Sequence, residues 1–262
     1  MARVRIDRLL VERGLVESRE QAARHIMAGE VLVDGKRVEK VGALVAPGAA
    51  VGLLGRAPFV SRGGEKLAHA LAAFQVKVVG RVCMDVGAST GGFTDCLLQR
   101  GATRVFAVDV GTAQLDVKLR KDLRVVVMEQ TNARALDPRI FGEQPTLATV
   151  DVSFISLEKI LPSVFGVLAP RGEVVALIKP QFEVGREHVG KGGVVREPAL
   201  HRAAVARLAR YAVLRGWHVL GVTASPLRGP KGNREFFLHC SSHGRTASDL
   251  ESMIDKSVEA LA

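Results

Sequence analysis

The passage from residue 81 to residue 98 restricts the fold more than any other. Arg81-Val82-Cys83-Met84-Asp85-Val86 is an apolar run of strand type that leads directly into Gly87-Ala88-Ser89-Thr90-Gly91-Gly92. A helix-type pattern follows through Phe93, Thr94, Cys96, Leu97 and Leu98. Strand, glycine turn and helix in that order build the ligand crevice of an open α/β sheet, at the carboxyl ends of its strands. The glycines let the backbone turn tightly and let a ligand approach closely. Asp109 closes the next strand pattern, Val105-Phe106-Ala107-Val108, and puts a carboxylate where the ribose hydroxyls of an adenosine would lie. The dinucleotide fingerprint wants G-x-G-x-x-G, whereas the spacing here is Gly87-x-x-x-Gly91-Gly92. The passage therefore reads as a cradle for S-adenosylmethionine. Gly87, Ala88, Ser89, Gly91 and Gly92 are expected at the methionine end, Asp85 beneath the loop and Asp109 on the ribose. Asn132, just after Val127-Met128-Glu129-Gln130-Thr131, reads either as a contact to the adenine edge or as a turn residue.

From residue 61 onward, helix patterns near 64–75, 91–100, 156–166, 197–215 and 247–261 alternate with apolar strand patterns. The strands fall near 81–86, 104–109, 124–128, 147–151, 172–178, 217–224 and 234–240. Such alternation predicts the α/β class, with a mainly parallel sheet covered on both faces. The last two strands flank the loop Ser225–Asn233 and are expected to pair antiparallel. Residues 1–58 form a separate small α+β pattern. Ile6, Leu9 and Leu10 give a helix that ends at Gly14, and Ser18 with Gln21 three residues on reads as a capping box. Ala22, Ala23 and Ile26 give the second helix its apolar side, and Gly29 stops it. Val31, Val33, Asp34-Gly35 and Val38 read as a hairpin. Short strands are expected over 41–45 and 50–54, and Gly55-Arg56-Ala57-Pro58 as a linker to a second domain over 59–262.

A chain of 262 residues that is 47% hydrophobic can bury a real core. Its formal charge of +10 points to an anionic partner, most often nucleic acid, although solubility charge is the plain alternative. One Trp and one Tyr argue against a platform that stacks single-stranded bases. Cys83, Cys96 and Cys240 are scattered without a Cys-x-x-Cys pair, so no metal is expected and a reducing cytoplasm fits. The charged start Met1–Arg8 has no signal core, and no apolar run approaches the about 18 residues of a membrane span.

Four polar residues fall at the ends of apolar or helical patterns, where buried charge needs a reason. Lys66 lies in Ser61-Arg62-Gly63-Gly64-Glu65-Lys66-Leu67, and Asp151 ends Leu147-Ala148-Thr149-Val150. Lys179 ends Val174-Val175-Ala176-Leu177-Ile178, and Glu235 starts Glu235-Phe236-Phe237-Leu238. Singly, each has a plain reading. Lys66 would be a solvated helix lysine, Asp151 a helix cap, Lys179 half of a structural ion pair, and Glu235 a charge blunting an edge strand. Residues 184–197 are glycine-rich and basic beside Lys179, and read as a mobile lid or RNA clamp, or as an ordinary surface loop.

Together, Lys66, Asp151, Lys179 and Glu235 resemble the Lys-Asp-Lys-Glu tetrad of the FtsJ-type ribose 2′-O-methyltransferases. The words Ser61–Leu67, Asp85–Thr94, Asp151-Val152-Ser153-Phe154-Ile155-Ser156, Ile178-Lys179-Pro180-Gln181-Phe182-Glu183 and Lys191–Arg196 resemble the TlyA family more narrowly. In front of them, Ser18-Arg19, Ala22, Ile26, Gly29, Val31 and Val33-Asp34-Gly35 resemble the alpha-L RNA-binding motif of small-subunit ribosomal protein four. These resemblances imply an S-adenosylmethionine-dependent 2′-O-methyltransferase with a Rossmann-like sheet, acting on cytidine in ribosomal RNA of one or both subunits. They imply Lys179 as the base that takes the ribose proton, Asp151 as its orienting partner, and Lys66 with Glu235 as positioning groups. Expected RNA contacts are Arg3, Arg5, Arg8, Arg19, Arg24, Lys36 and Arg37, with Arg13 and Lys40 near them and Arg62, Arg186 and Lys191 in the larger domain; a solvated helix face is the plain alternative. Ten basic against seven acidic side chains up to residue 60 leave this region only mildly positive, so placement matters more than total charge. Two other classes stay in view: a membrane-lysing protein, as the family's older label hemolysin A suggests, and a non-catalytic ribosome assembly factor.

Overall fold

The computed structural model describes residues 3–27, 29–38, 40–53, 58–229 and 231–260. Residues 55–57 of the expected linker, Leu54, Pro230 and Leu261 lie outside the described residues. The chain divides into two compact units, residues 1–58 and 59–262.

In the first unit, β1 (Val4–Arg5) leads into α1 (Ile6–Glu12), then α2 (Arg19–Met27), β2 (Val31–Val33), β3 (Lys36–Arg37), β4 (Leu44–Val45) and β5 (Val51–Leu53). Ile6, Leu10, Ala22, Ile26 and Val31 are fully buried and form its core. The hairpin β2–β3 turns on Asp34 and Gly35, whose φ angles of 49° and 75° are those of a turn matched to strand twist. The expected capping box forms with one difference. Ser18 Oγ accepts from Gln21 N at 3.1 Å, but Gln21 Oε1 accepts from Glu17 N at 3.0 Å, one residue before the cap.

The second unit runs α3 (Arg62–Ala73), β6 (Val82–Val86), α4 (Gly92–Gln99), β7 (Arg104–Val108), α5 (Val117–Arg120), β8 (Val125–Met128), β9 (Leu147–Val150), α6 (Leu161–Val167), β10 (Glu173–Ile178), α7 (Pro180–Glu183), α8 (Pro198–Leu214), β11 (His218–Ala224), β12 (Phe236–Ser241) and α9 (Leu250–Glu259). Its seven strands lie in the order β11-β12-β10-β9-β6-β7-β8. β8, β7, β6, β9 and β10 are parallel, and β12 runs antiparallel between β10 and β11. The order turns around at β6, where chain direction leaves a crevice at the strand ends. All five residues of β6 are buried. Met84 and Val86 face one apolar layer with Leu161 and Val164, while Cys83 faces the other with Leu67, Leu71 and Leu97.

The expected helix over 156–166 is two elements, a 3-10 turn at Leu157–Lys159 capped by Ser156, then α6. Pro162 sits in the first turn of α6, where a missing N–H costs nothing, so the helix starts late. The short helices α5 and α7 have too few residues to show a periodicity in the sequence.

Candidate active site

The glycine loop leaves β6 at Gly87, whose N–H donates to Val108 O at 2.8 Å. Gly87 and Gly91 hold φ angles of 86° and 95°, a region glycine enters freely. A Cβ at Gly87 would overlap Asp151 O, and one at Gly91 would press on Leu119 and come within 2.7 Å of Leu115 Cδ1. One at Gly92 would overlap Ser61 Oγ and lie 2.9 Å from Gly64 N. At these three glycines a side chain would thus meet the protein itself. Ala88 is buried in the same turn, and Gly87, Ala88, Ser89, Thr90 and Gly92 border the cavity described below.

Asp85 is fully buried under this loop. Its carboxylate accepts from Thr94 Oγ1 at 2.7 Å and from Thr149 Oγ1 at 3.4 Å. Burial pushes its pKa up to about 7, and the charge of Asp151 adds to the rise against the Thr94 hydrogen bond. Asp109 ties the loop to the end of β7, accepting from Ser89 N at 2.8 Å and Gly111 N at 2.7 Å. Asn132 is exposed and accepts from Arg134 N at 3.0 Å, capping the 3-10 turn Ala133–Ala135. Asp85, Asp109 and Asn132 do not border the cavity.

The sheet order explains why four distant residues meet. β9 and β10 are parallel neighbours, so Asp151 and Lys179 leave the same edge side by side. β12 runs the other way beside β10, with Ile178 opposite Phe236, so the residue that precedes β12 lies next to the residue that follows β10. Glu235 therefore stands beside Lys179, and Lys66 reaches in from α3. All four border one cavity of about 660 Å³, together with the glycine loop, Ser61, Ser153, Phe154, Gln181 and Phe182.

Two ion pairs organise it. Lys66 Nζ donates to Glu235 Oε2 at 2.5 Å, with residue exposures of only 7% and 1%. Lys179 Nζ lies 2.6 Å from Asp151 Oδ1 and donates to Ser153 Oγ at 2.9 Å. Asp151 Oδ1 is buried and accepts no aligned hydrogen bond, so its contact with Lys179 is ionic only. Burial pushes Glu235 above the usual carboxylate range, while the Lys66 and Lys179 charges pull against it. Lys66 is not a solvated helix lysine. Ser156, not Asp151, caps the following turn, and β12 is an interior strand with no edge for Glu235 to blunt. Lys179 does form an ion pair.

Sequence reasoning missed part of the lining. Phe93 is core, but Phe154 is 90% exposed, with φ of 65°, and its ring lies 5.0 Å from that of Phe182. Ser153, Phe154, Gln181 and Phe182 are the immediate neighbours of Asp151 and Lys179 in the words Asp-Val-Ser-Phe and Lys-Pro-Gln-Phe, which was the available signal. The 184–197 segment folds on its own bridge, Gly190 to Val194, and is pinned by Asn233, which accepts from Val195 N at 3.0 Å and donates to Gly193 O at 2.8 Å. Arg62, Arg186 and Lys191 are exposed, and Arg62 borders the cavity.

In the first unit, Arg3, Arg24, Lys36, Arg37 and Lys40 are exposed. Arg5 and Arg19 both donate to the buried Asp7, at 3.0 and 2.8 Å, and hold its carboxyl well below the usual range, the Arg5 hydrogen bond foremost. Arg8 pairs with Glu12 at 2.6 Å, and Arg13 donates to Ala49 O and Pro47 O at 2.7 and 2.8 Å. Several of these arginines thus brace the unit itself.

Residues 59–241 match the FtsJ-like methyltransferase family, and residues 4–51 match the S4 domain. The chain is 47% identical over 261 residues to the 16S/23S rRNA (cytidine-2′-O)-methyltransferase TlyA of Mycobacterium tuberculosis, across 98% of this chain and 97% of that protein. A solved structure of a candidate hemolysin from Streptococcus thermophilus matches with a TM-score of 0.78 at 45% identity, over 99% of this chain and 96% of that one. A candidate S-adenosylmethionine-dependent methyltransferase from Listeria monocytogenes shares the fold alone, with a TM-score of 0.52 at 15% identity over 70% of this chain and 100% of that one. The fold and the matched regions define an FtsJ-like methyltransferase that carries an S4 domain. Among such proteins, the chain belongs to the TlyA family.

Proposed function

We propose that this protein methylates the 2′ oxygen of a cytidine ribose in ribosomal RNA, with S-adenosylmethionine as the methyl donor. The observation that carries this reading is the convergence of Lys66, Asp151, Lys179 and Glu235 on one cavity beside the glycine loop. The residues present suit the donor. The cavity is within the usual size of a ligand site, the glycine loop borders it, and the buried Asp151 Oδ1 accepts no aligned hydrogen bond. Gly87, Ala88, Ser89, Gly91 and Gly92 would hold the methionine end, Asp109 the ribose and Asn132 the adenine edge, over Asp85. When bound, the sulfonium supplies an electrophilic methyl group.

The chain's own part is to position and deprotonate the nucleophile. A ribose hydroxyl is a poor nucleophile, and its in-line approach depends on placement. Lys179, set between Asp151 and Ser153, first gives up its ammonium proton to solvent and then, as the neutral amine, takes the hydroxyl proton at Nζ, a role for which a positioned general base contributes about 10²- to 10⁴-fold. Asp151 orients Lys179. The Lys66–Glu235 pair borders the same cavity beside Lys179 and positions the ribose.

RNA affinity comes from the S4 unit through Arg3, Arg5, Arg8, Arg19, Arg24, Lys36 and Arg37, and from Arg62, Arg186 and Lys191 beside the chemistry. The substrate is a ribosomal subunit or a large folded fragment, and the setting is the cytoplasm. Among the described residues no helix is long and apolar enough to cross a membrane, so no observation favours a lytic role. The test is methylation of purified subunits in vitro, followed by nuclease digestion and mass spectrometry. A methyl mass on the cytidine ribose is expected. A methyl mass on the base, or no transfer by protein that binds the donor, would overturn the reading.

A further inference from the structure

The geometry at Lys179 depends on two short segments that no strand pairing holds, residues 151–157 after β9 and residues 179–183 after β10. Glu183 joins them. Its side chain is 1% exposed, although it is charged and does not border the cavity. Oε1 accepts from Leu157 N at 2.9 Å, and Oε2 accepts from Ser156 Oγ at 2.8 Å and from Arg207 Nη2 on α8 at 2.8 Å. A buried carboxylate persists only where donors satisfy it, and here two of its three donors come from the loop that carries Asp151 and Ser153.

The connections close a ring. Lys179 donates to Ser153, Ser156 lies three residues further on and donates to Glu183, and α7 returns from Glu183 to Lys179 in a single turn. That turn is rigid: Phe182 N donates to Lys179 O and Val184 N to Pro180 O, both at 2.9 Å. A displacement of Glu183 therefore moves the backbone of Lys179 relative to Ser153 and Asp151. Arg207 fixes the ring to α8 and also pairs with Glu158 at 3.2 Å, on the same loop.

We propose that Glu183 is a positioning residue, which locks the turn bearing Lys179 against the loop bearing Asp151 and Ser153 and so sets the Lys179 amine for the reaction without touching substrate. The proposal rests on the reading of Lys179 as the base. The test uses full-length protein, ribosomal subunits as substrate, and rates normalised to calorimetric S-adenosylmethionine sites. Glu183→Ala removes the acceptor for both loop donors and is expected to lower kcat about 100-fold, the cost of a misplacement near 1 Å. KM for RNA and Kd for the donor should stay within about threefold, because binding groups are untouched. Glu183→Gln keeps an acceptor for Leu157 N and should recover at least tenfold of the loss.

A purely structural role would lower the number of binding sites and leave normalised kcat unchanged, which would overturn the proposal. So would a kcat loss that Gln does not recover. Should Glu183→Ala fail to fold, Ser156→Ala breaks the same ring at one bond, and its normalised kcat should fall about tenfold; an unchanged value refutes the ring. Lys179→Ala runs in parallel. If it stays active, the base assignment fails; if it is inactive while Glu183→Ala is normal, only the Glu183 proposal fails.

Discussion

The Lys66–Glu235 pair offers the sharpest energetic test. Its atoms lie 2.5 Å apart, and its side chains are 9% and 1% exposed. Removal of one partner from a buried pair strands the other, at about 3–5 kcal/mol. Since this pair borders a cavity that water can enter, the lower figure of about 3 kcal/mol is expected for Glu235→Leu or Lys66→Met. In a unit of this size, about 2–4 °C in Tm accompanies each kcal/mol, so each single change should lower Tm by roughly 6–12 °C. The double change Lys66→Met with Glu235→Leu replaces the pair by apolar groups of similar volume, and should return to within about 1 kcal/mol of the wild type. pH adds a sign. Glu235 is held above its ordinary pKa by burial, with Lys66 the chief opposing charge. Without Lys66 the carboxylate is penalised only while ionised. The unfolded chain gives up this proton first as pH rises, so the Lys66→Met penalty should be larger at pH 8 than at pH 5. Thermal unfolding of the four proteins at both pH values, with methyl transfer measured alongside, makes the test. The double variant should fold well and remain inactive. Single changes that cost under 1 kcal/mol, or a double variant as unstable as the sum of its parts, would refute the pairing argument.

Four further outcomes follow from the geometry. Lys179→Ala should cut methyl transfer by about 10²- to 10⁴-fold while calorimetric donor binding persists; near-normal turnover would remove Lys179 from the chemistry. Gly91→Val should destabilise the fold by about 2–3 kcal/mol, because its Cβ meets Leu115 and Leu119 at a φ of 95°; a variant with unchanged Tm would refute the packing account. Asp85, with a pKa near 7 in the fold against 3.8 as an ordinary carboxyl, makes the protein lose stability as pH climbs from about 4 to 7; Asp85→Asn should flatten that slope in urea titrations, and an unaltered slope would contradict it. Arg24→Glu and Arg37→Glu should each weaken RNA binding and reduce its salt slope by about one, whereas Arg5→Glu and Arg19→Glu should lower Tm because they abandon the buried Asp7; equal Tm in all four would put Asp7 outside the core.

Much of the site was legible because charge interrupts apolar runs. Asp151 and Lys179 each end a buried strand, and a charged group at the end of such a run sits where strands open into a crevice. Pairing was not legible. Lys66 is bound to Glu235 and Lys179 to Asp151 because β12 alone is reversed, and that reversal carries residue 235 past the end of β10. No local pattern encodes which neighbour a reversed strand will choose. The contacts at the glycines were not legible for a related reason. The sequence marks where backbone is tight, yet the atoms that press on Gly87, Gly91 and Gly92 belong to residues 151, 115–119 and 61–64, which only the fold assembles. Phe154 shows the same limit from the other side. The residue type alone does not say which way its ring turns, and the ring stands 90% exposed beside Phe182 on a left-handed turn at φ 65°.

The separation into two pairs has a chemical consequence. A shared network of two lysines and two carboxylates would let either lysine relay charge to the other. In this arrangement each lysine contacts one carboxylate, although Glu235 also feels the charge of Lys179, and the two differ in freedom. Lys66 is clamped by a carboxylate that is itself almost fully enclosed. Lys179 leans on Asp151 without an aligned hydrogen bond and spends its directional bond on a neutral hydroxyl, Ser153. A hydroxyl can rotate and either accept or donate, while an ionised carboxylate only accepts. The lysine able to change its hydrogen-bond partner during a proton transfer is therefore Lys179, and the one suited to hold a fixed wall is Lys66. This asymmetry agrees with the roles proposed for the two lysines.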